Sequence, residues 1–212
     1  VVCIPRASTP NWSGDFEPLV AKTINLPRAS AGFTHDVTYA FGTLTGTIAT
    51  GAGVTTSWTP DMNLLTQIPN TASGTGTITV VTKSGGTVIG SKAVNFRLNA
   101  PASVVPNVTQ VLWDDANTTV KANIGAFVQG LSLISGAVTS EALYGASITE
   151  ERIRIGTTIV PESNPIQITE SGTVSAFGEA VDTRGRLGSL ATSFPVLPYS
   201  PPLVNSWQVR RA

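Results

Sequence analysis

Phe33-Thr-His-Asp-Val-Thr-Tyr-Ala-Phe41 sets Phe33, Val37, Tyr39 and Phe41 on alternate positions of one run. Successive side chains of a β-strand point to opposite faces, so the stretch reads as an antiparallel strand with one face buried and one wet. The same reading extends outward. Strands are expected at Leu19–Ile24 before it and at Leu44–Ala49, Gly53–Trp58, Thr75–Thr82 and Thr87–Leu98 after it, with Ser84-Gly85-Gly86 turning the last pair into a hairpin. Thr59-Pro-Asp-Met-Asn-Leu-Leu-Thr-Gln-Ile68 carries the one helix signal: a Thr cap, Pro at the first helical position, an acid in the first turn and a stop before Pro69.

Composition agrees with an all-β protein. Of the 212 residues, 41% are hydrophobic but only 12% are charged, about half the usual share of roughly 25%. Thr, Ser, Asn and Gly must therefore supply the polar surface, and these residues suit pleated sheets and tight turns. Thirteen basic and thirteen acidic residues cancel, so no net field favours a nucleic-acid backbone. The single cysteine, Cys3, has no intramolecular partner, and stability is expected from packing. No apolar run approaches the roughly 20 residues of a membrane-spanning helix.

Asn99-Ala-Pro-Ala-Ser-Val-Val-Pro106 breaks the strand rhythm with two prolines. Strands resume at Val108–Trp113, Val128–Ile134, Ile148–Ile155, Pro165–Thr169 and Thr173–Val181. The two halves share an echo. Gly76-Thr77 leads to the turn Ser84-Gly85-Gly86 and then Gly90-Ser91, while Gly172-Thr173 leads to Thr183-Arg-Gly-Arg186 and then Gly188-Ser189. The offset is the size of one sandwich domain, about 100 residues. The expectation is two tandem immunoglobulin-like β-sandwich domains, residues 1–100 with an N-terminal linker and one short helix, and residues 101–200. Residues 201–212 read as a linker towards a further unit.

Several stretches resemble a family of siphovirus minor structural or tail-tip, antireceptor-associated proteins from phages of streptococci and related Gram-positive bacteria. They are Pro5-Arg-Ala-Ser-Thr9, Phe33-Thr-His35 with Tyr39 and Phe41-Gly42, Ser57-Trp-Thr-Pro60, Leu64-Leu65 and Gln67-Ile-Pro-Asn70. Ser73-Gly-Thr-Gly-Thr-Ile-Thr79, Asp182-Thr-Arg-Gly-Arg186 and Tyr199-Ser-Pro-Pro202 complete the match, which thins between residues 107 and 170. The resemblance implies a virion component at the tail tip or baseplate, acting outside the cell beside other tail proteins, possible as a homo-oligomer, and contributing to recognition of a cell-wall saccharide. It supplies no functional residues. The alternative function is that of a bacterial surface adhesin or a carbohydrate-binding module of a modular secreted protein.

No catalysis, metal or cofactor is expected. His35 is the single histidine, and Ser30 and Asp36 stand near it in sequence, but adjacent strand residues face opposite ways and cannot form a triad. One Cys and one His cannot make a zinc site. Trp113-Asp-Asp-Ala-Asn-Thr-Thr-Val120 lacks the glycine and glutamate of a calcium loop and reads as a polar loop between strands. Glu150 and Glu151 are split to opposite faces in the same way, which leaves for sugar hydrolysis a pair from distant loops, such as Glu141 with Glu162. Asp182-Thr-Arg-Gly-Arg186 is either an anion site or a turn with solvated arginines, and turn composition accounts for it. Trp58 is expected in the core, and Trp12 and Trp207 in terminal linkers, packed against neighbours outside the chain. Trp113 and Tyr144 are the candidate ligand contacts, set against simple packing.

Overall fold

The computed structural model describes residues 7–161 and 164–203; Cys3, Glu162 and Trp207 lie outside them. Two compact units divide the chain. The first comprises the chain up to Pro106 with Ala142–Thr149 and Val181–Arg186, and the second Asn107–Glu141, Glu150–Ala180 and the chain from Leu187.

The first unit contains β1 (Lys22–Asn25), β2 (Phe33–Phe41), β3 (Leu44–Ala52), β4 (Thr55–Trp58), β5 (Ser73–Ser84) and β6 (Thr87–Asn99). They form a four-stranded sheet in the order β3-β2-β5-β6 and a two-stranded sheet β1-β4. The alternation read in β2 is real: Phe33, His35, Val37 and Phe41 are buried. Ile24 and Trp58 from the small sheet share one core with Val37, Phe41, Ile78, Val80, Phe96 and Leu98 from the large one. Phe16 is fully buried, with ring centroids 5.1 Å from Trp58, 5.3 Å from Phe96 and 5.4 Å from Trp12. Trp12 thus packs within its own unit, which corrects the expectation of a neighbour outside the chain.

The helix signal yields a 3-10 turn, Met62–Gln67, shorter than expected and capped by Asp61 in place of Thr59. The Asp61 carboxylate accepts from the Asn63 amide at 2.7 Å, so the acid that was placed in the first turn is the cap. Leu64 and Leu65 go into the core from this turn.

Arg184 belongs to this unit, and its side chain is fully buried. It donates to the carbonyls of Leu65 and Ile68 at 3.1 Å and of Leu143 and Tyr144 at 2.8 Å. Asp182 accepts from the Arg184 and Arg186 amides at 2.9 Å and stands 3.7 Å from the guanidinium. The turn predicted at 182–186 is present, but Arg184 is not solvated. Burial pulls its guanidinium below the ordinary value, and the Asp182 charge opposes that shift.

The second unit contains β7 (Asn107–Asp115), α1 (Thr118–Ile124), β8 (Phe127–Val128), β9 (Leu133–Glu141), β10 (Ile148–Ile155), β11 (Thr158–Val160), β12 (Ile166–Gln167), β13 (Gly172–Asp182) and β14 (Leu187–Leu197), the ends of β10 and β13 running into the first. Its sheets are β12-β9-β7 and β11-β10-β13-β14-β8. With β7, β9, β10, β12, β13 and β14 as strands A, B, C, E, F and G, these are the A-B-E and C-F-G sheets of an immunoglobulin-like sandwich. Ile134 from one sheet and Ile153, Ile155, Val174, Ala176, Phe194 and Val196 from the other share its core. The first unit repeats the order. Asn11 bridges antiparallel to Asn25 of β1, and Phe16 bridges parallel to Leu98 of β6, as β7 pairs with β9 and β8 runs parallel to β14. The sequence echo is the last hairpin of each sandwich.

Expected Val128–Ile134 is not one strand: β8 ends at Val128 and β9 starts at Leu133. Leu131 and Ser132 turn the chain back onto the Val128 carbonyl. On the solvent side of β13, Glu179 is buried beneath two arginines of β10, with Arg152 Nε at 2.8 Å and Arg154 Nε at 2.6 Å. Burial raises its carboxyl, but the two arginine hydrogen bonds outweigh that and leave it below the usual value.

Two outcomes follow from these buried charges. Arg184→Met leaves four carbonyls and Asp182 without their cation and is expected to lower unfolding free energy by about 3–5 kcal/mol, measured by urea denaturation; a loss below about 0.5 kcal/mol is what a solvated arginine would give. Because the Glu179 carboxyl is lowered on folding, its contribution is present above pH 4.5 and lost as pH falls below that value. The difference in urea midpoint between the native chain and Glu179→Gln should therefore narrow on acidification through that range; a constant difference contradicts it.

Candidate functional site

The inward positions of β7 are Val111, Trp113 and Asp115, while Leu112 and Asp114 face out. The third inward residue is a carboxylate where a sandwich core calls for an apolar side chain. Asp115 is only 6% exposed. Its Oδ1 accepts from the Asn117 and Leu133 amides, both at 2.9 Å, which ties the end of β7 to the start of β9 and fixes the carboxylate plane.

Trp113 is held by packing. Its ring lies 4.5 Å from Phe194, which in turn meets Phe127 edge-on at 5.2 Å. Gly136 is the cross-strand partner of Trp113; a Cβ there would lie 2.3 Å from the Leu112 carbonyl oxygen, so no larger residue fits.

After β7 the chain turns into α1. Asn117 caps its start by accepting from the Val120 amide at 3.3 Å, and Gly125 closes it in a left-handed conformation. The stretch expected as a polar loop is therefore strand through Asp115 and then helix. The signal was present: an Asn and a Gly bracket seven residues. Lys121 of α1 reaches back to Asp114 at 2.5 Å, and this hydrogen bond holds the Asp114 carboxyl below its ordinary range.

Between these elements lies a cleft of about 150 Å³, lined by Trp113, Asp114, Asp115, Lys121, Gly125, Ala126 and Phe127. Its lining residues include two aromatic rings and one ion pair, while Trp113 Nε1 and Asp115 Oδ2 are themselves buried without a protein partner. Sequence reasoning reached Trp113 but missed Asp115, Lys121 and Phe127, because α1 brings the last two to it.

Tyr144, the other candidate, belongs to the first unit. It has a positive φ of 51°, its ring packs on that unit's core, and its carbonyl accepts from Arg184. The two candidates do not form one site.

The remaining chemistry has other partners. His35 is fully buried. Its Nδ1 lies 2.7 Å from the Gly53 carbonyl and so carries the proton, and Nε2 accepts from the buried Ser8 hydroxyl at 2.8 Å. Asp36 instead binds Lys83 and the Gly51 amide. Glu150 pairs with Arg152, and Glu151 accepts from Ser140. Glu141 accepts from Asn107. Among the described residues, no three His, Cys, Asp or Glu side chains come together to hold a metal ion.

A family model described as "Siphovirus protein of unknown function (DUF859)" matches residues 2–212. No curated protein matches the chain. Similar solved structures include the fibronectin(III)-like modules of Clostridium thermocellum CbhA, at 14% identity and a TM-score of 0.32, covering 90% of this chain and 94% of that one. The Ig1–Ig3 ectodomain of mouse nectin-like molecule 4 is 11% identical at a TM-score of 0.31, with 94% and 67% covered. Drosophila N-cadherin EC1-4 is 11% identical at 0.38, and the 92% of this chain that aligns spans half of that one.

Trp113→Ala removes the neighbour of Phe194 and is expected to cost about 3 kcal/mol in urea unfolding, the low end of the range because the ring is only partly buried. Trp113→Phe keeps a ring on Phe194 and should cost under about 1.5 kcal/mol. Equal losses would mean that the indole is not packed as described.

Proposed function

The chain belongs to this family of siphovirus proteins, and on that premise we propose that it is a structural module of the phage tail tip or baseplate that presents host-recognition parts and itself touches cell-wall saccharide. Family membership across residues 2–212 supports a virion component. Two sandwiches of the same strand order, each with its own core, suit a module that spaces and presents neighbouring parts. Its partners are other tail proteins, and its hosts are streptococci or related Gram-positive bacteria.

The observation that carries the adhesive half is the cleft beside Trp113, lined by the Trp113 and Phe127 rings and the buried Asp115. Aromatic rings with a polar handle are common anchors in recognition. The role is binding without catalysis. Glu150 and Glu151 have separate partners, and the Ser8–His35 pair is buried, away from any substrate.

Fluorescently labelled protein should bind whole streptococcal-type cells saturably and lose that binding when the wall polysaccharide is stripped. Absence of binding across a panel of such cells would remove the adhesive half of the proposal and leave a spacer. Undiminished binding to stripped cells would move the receptor from saccharide to protein.

A further inference from the structure

Of the large apolar side chains described, only Leu203, where the described chain stops, is more exposed than Leu19, which stands at 69% beside Val20 at 50%. Leu19 also has a positive φ of 64°. The Val20 amide donates to the Glu17 carbonyl at 3.3 Å, which closes a turn with Pro18 and Leu19 at its central positions. The second central position of such a turn, at positive φ, ordinarily takes glycine. A leucine there is strained and wet at once, and its own chain offsets neither cost. Backbone strain of this kind collects where a surface has a task.

The knob is presented rigidly. Phe16 and Pro18, on either side of Glu17, are buried, and the Leu19 amide donates to the Pro60 carbonyl at 2.9 Å. A side chain fixed in this way loses little freedom on docking. The second unit holds a receptor of matching size, the cleft of about 150 Å³ whose apolar lining is Trp113, Phe127, Ala126 and Gly125. A void of that volume takes an apolar group of about six carbons, and the isobutyl group of leucine is smaller. Ile124, next to Gly125, adds an apolar side chain that is 49% exposed. The charges beside the two parts also agree. Glu17 is exposed next to the knob, while Asp61, beside Pro60, is engaged by the Asn63 amide. The cation at the cleft, Lys121, is 57% exposed and is held by Asp114, itself 55% exposed.

We propose that Leu19 of one copy docks in the cleft beside Trp113 and Phe127 of a second copy, with Glu17 against Lys121. The contact is head-to-tail. Every copy offers one knob and one cleft, so association runs on into a ring or a filament. The knob brings on the order of 100 Å² of apolar surface, against roughly 800 Å² per partner in a stable pair. The contact is therefore weak in dilute solution and effective where copies are held side by side. Because the cleft takes one occupant, a docked Leu19 excludes the cell-wall saccharide proposed for it; this consequence, unlike the association, rests on the adhesive reading.

Sedimentation equilibrium of the full chain from about 10 µM to 1 mM is the test. The weight-average mass should rise above that of the single chain, with a dissociation constant of about 0.1–1 mM. Leu19→Gly removes the knob and relieves the backbone, so it should keep or raise the urea midpoint while weakening association about tenfold or more. Ala126→Phe fills the cleft from a half-buried position and should weaken association equally. Mixed together, the two variants should form a one-to-one pair, because one keeps the cleft and the other the knob; variants of a self-complementary patch do not rescue each other. If Ala126→Phe unfolds, ¹⁵N-labelled Leu19→Gly, whose cleft is intact, replaces it. Its Gly125 and Ala126 amides should shift on adding the unlabelled native chain and stay in place on adding unlabelled Leu19→Gly. A single-chain mass at every concentration, association unchanged by Leu19→Gly, or a mixture no heavier than its parts overturns the proposal. Cell binding without self-association overturns the knob contact alone. Self-association without cell binding leaves that contact standing and removes only the adhesive reading.

Discussion

A β-strand buries only one of its faces, and every feature of this chain follows from that constraint. A sheet with one apolar face needs a second sheet to cover it, and each unit supplies one: β1-β4 over β3-β2-β5-β6, and β12-β9-β7 over β11-β10-β13-β14-β8. With so few charged residues in the chain, the wet faces rely on threonine and serine, as in Thr38, Thr45 and Thr47 of β2 and β3. The same strand order arises twice because both units solve the same covering problem with hairpins of similar length.

Where a polar group falls on an inward position, the structure has to compensate, and it does so in a different way at each place. His35 of β2 takes its bonds from the Gly53 carbonyl and the Ser8 hydroxyl. Arg184 fills its donors with four main-chain carbonyls and faces Asp182. Glu179 is on the outward side of its strand and is buried by the stems of Arg152 and Arg154, with Arg154 itself 4.5 Å over the Phe177 ring. These sites are closed, and their role is to hold the fold.

Asp115 is the exception. Half of its carboxylate is structural, binding the two amides that join β7 to β9, and half faces no protein donor. Local departures from the inward-apolar rule that lack compensation are expected at functional positions. The uncompensated indole N–H belongs to a residue that lines the same cleft. The tilted packing of Trp113 against Phe194 and the absence of a side chain at Gly136 keep the indole in place without using its polar edge.

The sequence by itself determined the all-β class, the alternation of β2, the position of both last hairpins and the core role of Trp58, because these depend on period and turn chemistry within a few residues. It also carried the family resemblance and pointed to Trp113. It was weaker between residues 107 and 170, where α1 passed for a loop and β8 and β9 for one strand; short elements there are set by capping and by cross-strand pairing more than by hydrophobic period. Only the tertiary structure decided that Arg184 is buried and that Tyr144 packs on the first unit's core. Only it could bring Lys121 and Phe127 to Trp113 and leave Asp115 Oδ2 buried without a protein partner. Satisfaction of a buried polar atom depends on groups distant in the chain, and such distances are fixed when sheets close over a core, not by neighbours in sequence.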